Sequence, residues 1–384
     1  MKKNGILLIL LLMIVLAIGG FLLLTNGNLA LSGNDQESIE AKLHVSRSVK
    51  TTGKQLVETA TIGAIGDILI HSQVYNDAQN GNTYDFKPML SKMKSILQAP
   101  DYLLANQETR LGGVALGLSS YPTFNSPQEV GDALIDAGVD IVSTANNHSL
   151  DKGARGILAE IEYFNRVGLP YVGTFKDIAD QQTLRIQNVN GIKLAYLSYS
   201  YGTNGIPVPK GKEYLVNLID KEKMKQEIHR AKEVADVIIM SAHWGNEYQR
   251  IPTSQQKELA QFLVNEGVDI IFGHHPHVLQ PIEWLADEKG RKALVVYSLG
   301  NFLSGQQWDY KDIGGMATID IKKTITAAGT SIELAKPTFT PTYVSHQNYN
   351  NYRVVPLQDA GAYGLENAPA KYEEIMTHMT QWLR

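Results

Sequence analysis

Asp269-Ile270-Ile271-Phe272-Gly273-His274-His275-Pro276-His277 decides how the rest of the chain is read. Ile270, Ile271 and Phe272 form a short apolar run that reads as a buried strand, and Gly273 ends it by letting the backbone turn without a Cβ clash. Three of the chain's ten histidines then fall within four residues. Pro276 fixes the backbone between His275 and His277, so two imidazoles can be held on a rigid loop at the strand's end. Neutral imidazole is the commonest metal ligand. The loop therefore reads as part of a metal site, provided that other stretches bring ligands to the same place.

A recurring pattern supplies them. Asp101 opens Asp-Tyr-Leu-Leu-Ala-Asn-Gln-Glu, Asp140 opens Asp-Ile-Val-Ser-Thr-Ala-Asn-Asn, and Asp236 opens Asp-Val-Ile-Ile-Met-Ser-Ala-His. In each, a short apolar strand is followed, seven residues on, by a side chain that can bind metal: Glu108, Asn147 and His243. His275 and His277 stand six and eight residues after Asp269. Helical spacing of apolar residues precedes three of these strands, over Gln128–Ala137, Asp220–Ala235 and Ser254–Glu266. Alternating helix and buried strand predicts an α/β fold with a largely parallel sheet. Sites in such sheets form beyond the carboxyl ends of the strands, which is where these side chains fall. Aspartate is also an ordinary turn residue before a strand, but that does not explain what ends each strand.

The first strand adds an acid. Thr59 to Ile65 alternates, Gly66-Asp67 closes it, and His71 follows, free either to join the site or to face solvent. Asp67, Glu108, Asn147, His243, His275 and His277 make an oxygen and nitrogen set large enough for two metal ions. His148 is left for proton transfer. With no cysteine in the chain, thiolate zinc sites and disulfides are excluded.

Lys2 and Lys3 precede an apolar run from Gly5 to Leu24, about the length that crosses a hydrocarbon core of roughly 30 Å. It reads as an uncleaved signal anchor rather than a cleaved peptide, because it exceeds the about 7–15 apolar residues usual for the latter. The lysines keep the start of the chain cytoplasmic, so a single-pass protein of the cell membrane with its domain extracytoplasmic is expected. A net charge of −4 without a basic stripe argues against nucleic acid as a partner.

Taken together, Gly66-Asp67, Asn106-Gln107-Glu108, Asn146-Asn147-His148, His243-Trp244-Gly245-Asn246-Glu247-Tyr248, Gly273-His274-His275-Pro276-His277 and Ser298-Leu299-Gly300-Asn301-Phe302 resemble the CapA family of capsule and poly-γ-glutamate biosynthesis. That family is related to calcineurin-like metallophosphatases. The resemblance implies a four-layer α/β/β/α sandwich with a dinuclear site, preceded here by the transmembrane helix. It divides the chain into an anchor (1–25), a polar linker (26–58), the metallophosphatase-like domain (59–345) and a C-terminal extension (346–384). By motif, Asp67 resembles the first-strand ligand and Glu108 stands for the bridging Asp. Asn147-His148 resembles the phosphatase Asn-His pair, and His243, His275 and His277 resemble the late ligands. The chain departs from the phosphatase pattern at Leu69, where His is expected, and at Glu108. One extra residue in the Gly-His-x-His motif leaves His274 and His275 both open as the inner ligand.

Around this set, His71, Asn106, Trp244, Glu247, His274 and Asn301 are candidates to stand behind the ligands or to meet substrate. Trp244 and Tyr248 read first as packing and only second as a stack on substrate, Glu247 could orient His243 or be a solvated carboxylate, and Asn301 reads first as a turn residue that could also donate to the site. The Asn- and Tyr-rich stretch Thr340–Arg353 reads as a loop, and Lys371–Leu383 as a closing helix. Two functions are expected of such a chain. One is a hydrolase of phosphoester or amide bonds with two Mn, Fe or Zn ions, acting in production or release of an anionic polymer. The other is a non-catalytic scaffold or polymer-binding subunit beside membrane polymer synthase subunits.

Overall fold

Each aspartate that opens a strand caps the strand beside it. Asp101, Asp140, Asp236 and Asp269 each accept, through Oδ2 at 2.8 Å, from a neighbouring backbone N–H: Thr61, Leu103, Lys193 and Ile238 respectively. The carboxylates satisfy donors at the strands' starting edge. These contacts come from a computed structural model that describes residues 55–383. The expected membrane anchor and nearly all of the linker lie outside the described residues, among which no helix is long and apolar enough to cross a membrane.

In chain order the strands are β1 (Leu56–Leu69), the short pair β2 (Gln79–Asn80) and β3 (Thr83–Tyr84), β4 (Tyr102–Gln107), β5 (Ile141–Ser143), β6 (Tyr171–Val172), β7 (Arg185–Val189) and β8 (Ile192–Ser200). There follow β9 (Val237–His243), β10 (Ile270–His274), β11 (Leu279–Ala286), β12 (Lys292–Leu299), β13 (Asn301–Ser304), β14 (Ile313–Thr326), β15 (Gly329–Gln347) and β16 (Asn350–Pro356). One sheet has the order β16-β15-β14-β1-β4-β5-β6, with β13 also paired to β1, and the other has the order β11-β12-β10-β9-β8-β7. Parallel centres, β1-β4-β5-β6 and β8-β9-β10-β12, are flanked by antiparallel strands.

Three apolar clusters separate the layers. Ile62, Leu104, Ile239 and Phe272 belong to the cluster between the two sheets. Leu103 and Val142 on the outer face of the first sheet meet Leu134, Ile157, Ile161 and Phe164 of its covering helices. Met240 and Ile271 on the outer face of the second meet Met224, Ile228, Leu259 and Leu263. The order is helix, sheet, sheet, helix. Helix Ser254–Glu266 has the predicted bounds because Thr253 and Gln256 form a capping box and Gly267 takes the left-handed conformation at its end.

Three local expectations are corrected. Thr340–Arg353 is mostly strand rather than loop: β15 and β16 pair across a turn whose Asn348 and Tyr349 both have positive φ. That is the turn chemistry a tight hairpin needs, and Asn tolerates it. The boundary drawn at 345/346 falls inside β15, while Ile375 and Met379 of helix Ala368–Thr380 join the inter-sheet cluster. Gly273 does not turn the chain. It lies inside β10, where a Cβ would meet the Tyr297 carbonyl oxygen at 2.0 Å.

Candidate metal centre

The turn after β10 is made by its histidines: His275 has φ 98 and His277 φ 59. Such backbone costs about 1–3 kcal/mol per residue and is found where surrounding structure imposes it. It brings His275 and His277 to the carboxyl ends of β1, β4 and β9. Asp67, on β1, is buried; its Oδ1 accepts from Asn106 Nδ2 at 2.8 Å, and its Oδ2 lies 3.1 Å from His277 Nδ1. Glu108 follows β4 and is fully buried. His243 ends β9, its Nε2 2.9 Å from Asn147 Oδ1.

Three triplets result, Asp67-Glu108-His277, Glu108-His243-His275 and Glu247-His275-His277, each with its donor atoms within 4.8 Å of one another. Glu108 belongs to the first two. Neither of its oxygens has a hydrogen-bond partner, nor do His243 Nδ1 and His275 Nδ1, although all are buried. A buried carboxylate left without partners is costly, and a divalent cation is a partner that both its oxygens can share. The mixed oxygen and nitrogen set is compatible with metal binding. His274 is buried beside Asp67, its Nδ1 3.3 Å from Oδ1 without hydrogen-bond geometry and both of its ring nitrogens without partners, but it belongs to none of the triplets.

Burial raises the Asp67 carboxyl, but the neighbouring imidazoles of His274 and His277 outweigh it and hold the group well below the usual range. Burial, then the Asp67 charge, pushes Glu108 well above it. Burial and the neighbouring imidazole charges hold His243 far down and His275 down at about 3, so both are neutral and ligand-ready. Burial opposes protonation of His277 too, yet Glu108 and Asp67 raise it to about 9.

A cleft of about 460 Å3 opens beside the cluster, lined by His71, Tyr121, Phe124, His148, Tyr248 and His277 among others. His148 Nδ1 lies 2.7 Å from Asp151 Oδ2, which also accepts from Phe124 N–H. The carboxylate makes Nδ1 the donor and leaves Nε2 for the cleft. Asn204 accepts from Asn147 Nδ2 at 3.2 Å. Neither Asp151 nor Asn204 was singled out by sequence, although an acid three residues after His148 was a readable signal. Beneath the site, Arg110 pairs with Glu160 at 2.6 Å and donates to the Gln107 and Thr144 carbonyls, tying the ends of β4 and β5 together.

The remaining candidates divide. Asn106 braces Asp67, and Asn301 Oδ1 sits 3.1 Å from His277 Nδ1. His71 belongs to none of the clusters that could hold a metal ion; it is half-buried in the cleft wall, its Nδ1 near the Leu69 carbonyl and the Gly305 N–H, and burial holds it down at about 4. Trp244 is 2% exposed, donates to the Tyr297 carbonyl and packs in the helix-side cluster rather than toward the cleft. Glu247 is exposed at the cleft, with a carboxylate oxygen close to His275 and His277.

Comparison with known proteins places the chain in a family. The capsule biosynthesis protein CapA of Bacillus anthracis is 29% identical over 262 residues, 65% of this chain and 61% of that protein. The PGA biosynthesis protein CapA of Bacillus subtilis is 32% identical over 192 residues, 50% of this chain and 49% of that one. The match thus spans about half to three-fifths of these relatives' length. Among solved structures, a calcineurin-like phosphoesterase from Bacillus subtilis is similar with TM-score 0.45 and 19% identity, covering 74% of this chain and 91% of that one. The model of the bacterial capsule synthesis protein family PGA_cap matches residues 61–306, well over half of the sequence and every proposed ligand, and the chain belongs to that family.

Proposed function

We propose that this chain is a membrane-anchored, extracytoplasmic hydrolase that cleaves a phosphoester or amide bond in the production or release of an anionic capsule polymer, such as poly-γ-glutamate. The observation that carries the reading is Glu108, buried, without hydrogen-bond partners and common to two ligand triplets. Asp67, Glu108 and His277 would hold one divalent ion, and Glu108, Asn147, His243 and His275 the other. Bound there, the ions would supply a nucleophile at neutral pH and polarise the scissile group. His148, oriented by Asp151, would pass a proton to the leaving atom at the cleft wall. The names of the relatives support the polymer context, and membrane synthase subunits are the partners this context calls for. Lys2-Lys3 before the apolar run support the topology. Leu69, in place of a ligand, favours the second reading, a polymer-binding scaffold.

One experiment tests both halves. A reporter fused after Arg384 should be active only in an extracytoplasmic compartment, and the metal-loaded full-length protein should turn over an activated phosphodiester or a γ-linked glutamate polymer. Cytoplasmic reporter activity would overturn the topology. Polymer binding with neither substrate cleaved would favour the scaffold.

A further inference from the structure

We infer that Glu247 is a metal ligand that takes the place left by Leu69, an inference that rests on the metal-centre reading. Leu69 is buried at the end of β1, lines the cleft and carries no donor atom. The triplet beside it, Asp67-Glu108-His277, therefore has a single imidazole. Glu247 approaches from another loop, with a carboxylate oxygen that forms a mutual 4.8 Å cluster with nitrogens of His275 and His277. Its backbone is held there. The Tyr248 N–H donates to the Pro276 carbonyl at 2.8 Å, pinning the residue after Glu247 to the turn between the two histidines. Gly245 has φ 85, and a Cβ on it would come within 2.5 Å of Gln256, so the turn that delivers Glu247 needs glycine.

The consequence is an asymmetric centre. Joined through His277, the one residue Glu247 shares with that triplet, Asp67, Glu108, Glu247 and His277 would make an oxygen-rich set suited to a harder ion such as Mn2+, whereas Glu108, Asn147, His243 and His275 would offer more nitrogen and suit Zn or Fe. Glu247 is exposed, so replacing it does not open a hole in the core.

The test is metal content and affinity of the full-length protein, purified in detergent without a His tag and titrated with Mn2+ and with Zn2+ against a chromophoric chelator. Wild type should bind two equivalents. Glu247→Gln should weaken one of them by at least about tenfold and leave the other unchanged, while Glu247→His should keep both and shift the weakened site toward Zn2+. Glu258→Gln, at an exposed position on helix Ser254–Glu266, should behave as wild type. If Glu247→Gln holds both equivalents with wild-type affinity, the assignment is wrong and the metal-centre reading stands. If wild type itself binds neither ion, both fall.

Discussion

Glu108→Gln is expected to strip the protein of both metal equivalents and of all turnover, because Glu108 is the residue that the Asp67-Glu108-His277 and Glu108-His243-His275 triplets share. Metal analysis and an activated phosphodiester assay read the two losses. Thermal unfolding in chelator then separates loss of metal from loss of fold. Burial and the Asp67 charge raise the Glu108 carboxyl. For a group raised in the folded state, the stability it contributes is present below the unfolded value and is lost as pH rises through the folded one. A neutral amide carries no such penalty. In chelator at pH 8, Glu108→Gln should therefore unfold at or above the wild-type temperature. Unfolding several degrees below wild type would mean that Glu108 braces the fold and not a metal.

His148→Ala is expected to keep both equivalents and to cut turnover of an activated phosphodiester by at least about a hundredfold, the scale of a lost general acid. His148 lines the cleft but belongs to none of the triplets. Its Nδ1 is engaged by Asp151, so its other nitrogen is the one available to a substrate. Asp151→Asn should give a smaller loss, since it disturbs the imidazole's orientation without removing it. Metal loss in His148→Ala would contradict this division of labour. If wild type turns over no substrate, yet His148→Ala abolishes polymer output in cells at normal protein levels, the site works by binding.

The strand ends were the legible part of the sequence. Buried parallel strands are short apolar runs, and whatever follows them falls beyond one sheet edge, so a spacing of seven residues from Asp101, Asp140 and Asp236, and of six and eight from Asp269, placed the side chains that follow together. What the spacing could not reveal was that these strands belong to two sheets; Asp101 and Asp140 cap the first sheet, Asp236 and Asp269 the second. Only the resemblance to a known family implied the sandwich. Period 2 alone also missed the hairpin of β15 and β16, because Asn and Tyr there serve a tight turn.

At the site, sequence separated ligand types but not geometry. His274 and His275 are adjacent and chemically alike, and only the left-handed backbone of His275 sends it toward His243 while His274 stays beside Asp67. Trp244 sits next to His243 in the sequence and on the opposite face of the sheet, as neighbours at a strand end must. Asn204 and Glu247 come from loops without a repeating pattern, so their proximity to the cluster is a tertiary fact.

The central claim, that these side chains form a two-metal centre, is tested most directly by the metal content of the wild-type protein. Full-length chain purified in detergent without a His tag, reconstituted with Mn, Fe or Zn and desalted, should hold close to two equivalents per chain by elemental mass spectrometry. Less than about a tenth of an equivalent with every one of these metals would contradict the claim.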